Sequence, residues 1–148
     1  DMSYNHGPML SKAQFDEFLV PYYIKTTEKL KQHNVLVIAD TDGNVTELIP
    51  WLKSVGFDGI LPLERMAGVD VAQIRSEHPD LRMIGAFDQT VMHLGKEAMR
   101  QEFERLLPVM KQGGFIPSVD HQTPPGVSLK QYRCYVSLLK EYCQKAVK

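Results

Sequence analysis

Four short apolar runs punctuate the chain, at residues 35–40 (VLVIAD), 59–64 (GILPLE), 83–88 (MIGAFD) and 114–120 (GFIPSVD). A strand with one wet face alternates apolar and polar side chains. A nearly continuous apolar run instead marks a strand covered on both faces, as in a parallel sheet. The intervening segments carry the helical period. Residues 11–33 read as a helix opened by Ser11 and Gln14 at capping-box spacing, with Pro21 expected to break it into two pieces. Residues 44–54 follow, with Asn44 as cap and Gly56 as stop. Residues 70–77 open on Asp70 and end ahead of Pro79. Residues 96–112 place Met99, Phe103, Leu106 and Met110 on one stripe and run out at Gly113, with a kink expected at Pro108. Residues 128–146 start with a second box, Ser128 and Gln131, and set Tyr135, Leu138, Leu139 and Tyr142 near one face.

The order is thus one helix followed by four strand–helix units. Such alternation with short connections predicts right-handed crossovers and a parallel α/β sheet. The runs begin at residues 35, 59, 83 and 114, so they are 24, 24 and 31 residues apart. A complete (β/α)₈ barrel spends about 31 residues per unit. Four units in 148 residues therefore predict a single domain that is half of a TIM barrel.

Composition excludes several classes. With 43% hydrophobic and 24% charged residues the chain is globular, not disordered. A formal net charge of −1, with no basic run, gives no pull towards nucleic acid or an anionic membrane. No apolar stretch approaches a bilayer span, and the polar start lacks the apolar core of a secretory signal. Cys134 and Cys143 lie nine apart on one helix and point to different sides, so they are expected to be free thiols of a reducing compartment, the cytoplasm.

Candidate chemistry collects where the strands end. Asp40 and Asp42 follow the first, Glu64 the second, Asp88 the third, and Asp120 with His121 the fourth. In parallel α/β folds the carboxyl ends of the strands form the active face, because the βα loops converge there. Acids crowded into one mouth repel, so at least one is expected to have a raised pKa unless a cation or hydrogen bond offsets it. Each residue also has a plainer reading: Asp42 and Asp88 as caps of the next turn, Glu64 as the ion-pair partner of Arg65, and His121 as part of a rigid Pro-rich loop. The DTDGN stretch at 40–44 looks like part of a calcium loop but follows a strand and lacks the downstream glutamate, which excludes an EF-hand. No phosphate loop, nucleophile elbow or CxxC is present in the sequence.

Read in order, GPMLS at 7–11, FLVPY at 18–22, DTDGN at 40–44, PLE at 62–64, GAFD at 85–88, GGFIP at 113–117, then Asp120-His121 and Pro124-Pro125, resemble the uroporphyrinogen decarboxylase superfamily. That superfamily includes the decarboxylases of haem synthesis and the corrinoid-linked methyltransferases. The resemblance implies a (β/α)₈ barrel whose cleft binds a tetrapyrrole or a methyl donor, with this chain as the carboxyl-terminal half, strands five to eight. It implies that His121 matches the decarboxylases' histidine after the last strand. The methyltransferases' zinc-binding His-x-Cys corresponds to Asp40-x-Asp42 here, and the last loop offers Asp120 and His121. Carboxylates and imidazole make a harder site than thiolates, so thiol methylation is disfavoured and a divalent metal on Asp40, Asp42 and His121 is the possible cofactor. On this reading His121, Asp88 and Glu64 are catalytic, while Asp40, Asp42, Asn44 and Asp120 bind substrate. The resemblance favours a piece of a longer enzyme, inactive alone, from which the arginines and aspartate of the amino-terminal half are missing. The alternative is a free-standing half barrel that covers its open edges by pairing with a second copy. A thin flavodoxin-like binder ranks below both.

Overall fold

The structure is a computed structural model and describes residues 1–147. The chain opens with a small antiparallel hairpin that the apolar pattern did not predict, β1 (Ser3–Tyr4) paired with β2 (Gly7–Pro8). A helical stretch follows, α1 (Lys12–Gln14), a π-helical turn over Phe15–Leu19, and α2 (Val20–Lys31). Ser11 caps it with the expected box. Pro21 does not break the helix. The π turn routes the Val20 N–H to the Phe15 carbonyl, and the proline falls in the first turn of α2, where a missing N–H costs little.

Four parallel strands then alternate with helices, in the spatial order β3 (Ile38–Asp40), β4 (Gly59–Leu63), β5 (Arg82–Phe87), β6 (Phe115–Val119). Their registers run Ile38 beside Gly59, Gly59 beside Arg82, and Met83 beside Phe115. The connecting helices are α3 (Leu48–Ser54), α4 (Val71–Glu77), α5 (Lys96–Met110) and, after the last strand, α6 (Leu129–Ala146). Asp70 caps α4 and Ser128 caps α6, both as the spacing predicts. Helix α3 begins at Leu48, four residues later than expected. Asn44 spends its side chain on a local turn instead, its Oδ1 accepting the Thr46 N–H at 3.1 Å.

The helices cover one face of the sheet. There Phe87, Phe103, Tyr135 and Tyr142 form a fully buried aromatic stack, with ring centres 4.6 Å apart for Phe87–Phe103 and 5.2 Å for Phe103–Tyr142. Among the described residues, no layer covers the opposite face. Ile116 on β6 is 62% exposed, and Ile38, Leu61 and Ile84 are only half-buried. Strand β3 is shorter than the apolar run predicts for the same reason. It lies at an edge with one neighbour, so Val35 and Leu36 are exposed, the latter at 61%. Among the described residues, no helix is long and apolar enough to cross a membrane.

Candidate functional site

The parallel order carries the ends of β3, β4, β5 and β6 to one rim. The first loop there, Thr41 to Asn44, is held from above by the amino-terminal hairpin. The Met2 N–H donates to Thr41 Oγ1 at 2.8 Å, the Ser3 hydroxyl to the Asp42 carbonyl at 2.6 Å, and the Asn44 N–H to the Tyr4 carbonyl at 2.8 Å. Gly43 permits this approach. Its φ is +87°, and a Cβ there would lie 2.6 Å from the Tyr4 backbone.

Held in this way, Asp42 meets two residues from other strands. His121 Nε2 lies 3.4 Å from Asp42 Oδ2 and 4.0 Å from Glu64 Oε1. Glu64 is fixed in turn, because its Oε2 accepts the Gly43 N–H at 2.6 Å. One ligand atom from each of Asp42, Glu64 and His121 falls within 4.8 Å of the others, close enough for one cation to be shared among them. Asp42 and His121 line an open hollow of about 400 Å³ together with Asp40, Leu61, Pro62, Ile84 and Ser118, and Glu64 stands beside them outside that lining. The hollow lies over the uncovered face of the sheet.

The structure rearranges the expected site in four respects. Glu64, not Asp40, completes the trio with Asp42 and His121. Asp40 lines the same hollow but belongs to β3 itself, one step short of the loop. Asp88 lies on the rim outside the trio. Its Oδ1 accepts both the N–H and the hydroxyl of Thr90, at 2.8 Å and 2.5 Å, and so caps the 3₁₀ turn over Gln89–Leu94. Asn44 serves its own turn and the hairpin, as described above. Asp120 does not face the hollow. It is 1% exposed, and its two oxygens accept the Arg65 and Gln89 N–H groups at 2.9 Å and 3.1 Å.

Burial pushes the Asp120 carboxyl above the usual carboxylate range, against the two backbone amides, with neighbouring Asp88 adding to the rise. This is the raised acid expected among crowded carboxylates, although loss of water outweighs repulsion as its cause. The end of β5 is also strained. Ala86 has φ +67°, a left-handed conformation that costs a non-glycine residue about 1–2 kcal/mol, and its carbonyl is held by Arg105 Nη2 at 2.7 Å. Sequence reasoning missed the hairpin's role as a cover for the first loop. The only signal was glycine at 43 between two polar residues.

The uroporphyrinogen decarboxylase of Anaeromyxobacter sp. (strain Fw109-5) is 25% identical over 140 residues, covering 92% of this chain and 38% of that relative. The chain therefore spans under two fifths of that protein's length. The family described as Uroporphyrinogen decarboxylase (URO-D) matches residues 2–142. With nearly every residue of the chain inside that match, the chain belongs to the uroporphyrinogen decarboxylase family.

Proposed function

We propose that this chain is the carboxyl-terminal half of a (β/α)₈ barrel and supplies the acid–base side of a cleft for a tetrapyrrole, in an enzyme that decarboxylates it. The observation that carries this reading is the convergence of Asp42, Glu64 and His121 over an apolar, uncovered sheet face. The bare face and the two open edge strands call for cover, and four further strand–helix units would provide it. Loss of CO₂ leaves an electron pair on carbon that must take up a proton. His121 is the group placed to deliver one, and the carboxylates of Asp42 and Glu64 stabilise the imidazolium that delivers it. Asp40 orients the substrate from the floor of the same hollow.

Methyl transfer is the second reading within the family. It is weaker here because the rim offers no thiolate. The same trio suits a hard divalent ion, and Asp42, Glu64 and His121 would hold it. Such an ion would supply Lewis-acid polarisation of a substrate oxygen.

The coding DNA upstream of Asp1 is expected to continue into four more strand–helix units, and the product of that longer frame to release CO₂ from uroporphyrinogen. Replacement His121→Ala should lower kcat at least 100-fold, and unchanged turnover in that variant defeats the proposal. Calorimetric titration with Mn²⁺ decides the metal question separately: one site lost in Glu64→Gln is expected if the trio binds an ion, whereas no heat with the unaltered protein ends that part of the reading.

A further inference from the structure

The buried carboxylate of Asp120 has no access to substrate, yet it bonds the backbone at the ends of two neighbouring strands, β4 and β5. Its Oδ2 accepts the N–H of Arg65, the residue after Glu64. Its Oδ1 accepts the N–H of Gln89, the residue after Asp88. Its own backbone N–H donates to the Phe87 carbonyl at 2.9 Å, and the next residue along is His121. A single anion thus ties the ends of β4, β5 and β6 together from beneath the rim. Hydrogen bonds to a charged acceptor are about twice as strong as neutral ones, and at 1% exposure no water competes for them.

We infer that Asp120 is the positioning residue of the site: by holding the Arg65 and Gln89 amides it sets where Glu64 and His121 stand relative to Asp42. The chain of contacts is short. Asp120 fixes Arg65, Arg65 fixes the backbone of Glu64, and Glu64 Oε2 receives the Gly43 N–H at 2.6 Å. The β3 loop is thereby coupled to a carboxylate that it does not touch. Asparagine at this position would have one oxygen for two donors and would turn its NH₂ towards a backbone N–H, so the tie would open without loss of side-chain volume.

This inference rests on the reading of Glu64 and His121 as site residues, but its test needs neither substrate nor metal. In Asp120→Asn, native-state amide exchange measured by NMR is expected to quicken about tenfold or more at Gly43 as well as at Arg65 and Gln89. The Gly43 amide proton should move upfield as its bond to Glu64 loosens. Amides of α6 such as Leu138 should keep their rates. Arg65→Pro makes the same test from the donor side, since a proline at the start of a 3₁₀ turn removes the N–H while fitting the local backbone. A Gly43 amide that stays unmoved in the variants that fold overturns the inference, and so does exchange that rises equally across the whole chain. Either result leaves the CO₂ assay of His121→Ala to judge the functional reading on its own.

Discussion

The two ends of the sheet are each locked by one buried ion of opposite sign. At the amino ends of β5 and β6, Arg75 is 5% exposed and donates to the carbonyls of Pro79, Leu81 and Gly113 at 2.6, 3.1 and 2.9 Å. At the carboxyl ends, Asp120 accepts two backbone amides. Both satisfy backbone groups that loops leave unpaired at depth. They differ in what lies beside them. Around Arg75 the charged neighbours are Arg82 and Asp80, and Asp80 is taken up in an exposed ion pair with Lys53. Around Asp120 they are Glu64, Asp88 and His121, whose side chains reach the rim. The same device therefore serves stability at one end and placement at the other, in keeping with the division of labour between the two faces of (β/α)₈ barrels.

That contrast can be broken from either end. The largest effect is expected from Arg75→Met, which strands three carbonyls and should cost about 3 kcal/mol in urea denaturation. It should leave Mn²⁺ binding per folded molecule unchanged. A loss of rim function at equal folded fraction would show that the ends are not separable. A smaller effect is expected from Gly43→Ala. Its Cβ meets the Tyr4 backbone at 2.6 Å in a left-handed conformation, so the substitution should cost about 1–2 kcal/mol. Amide exchange at Asn44 should then quicken as the hairpin lifts, while the Gly113 region stays as it was. Unchanged protection at Asn44 would separate the hairpin from the site.

Much of the fold was legible because burial on both faces leaves a plain mark. The four apolar runs are all strands, and Ser11, Asp70 and Ser128 cap their helices as spacing predicts. Pro21 misled because a π turn is not encoded in a simple period, and the proline falls in the first turn of the helix that follows it, where its missing N–H costs little. The rim itself was legible, since every parallel strand must end on the same side. The assignment of roles within it was not. Which acid faces solvent depends on loop course, and loops take their course from long-range contacts such as that of the hairpin with residues 41–44. Asp120 and Asp42 look alike in sequence, as acids close behind a strand. One is buried under two amides, and the other stands beside His121.

The hairpin over the first loop has a consequence for folding order as well as for chemistry. Residues 1–4 make their contacts with residues some forty positions further on, so the first loop reaches its final place only once the chain's beginning has returned to it. How residues 1–4 run, and where Asp42 comes to rest, are in mechanical terms a single variable.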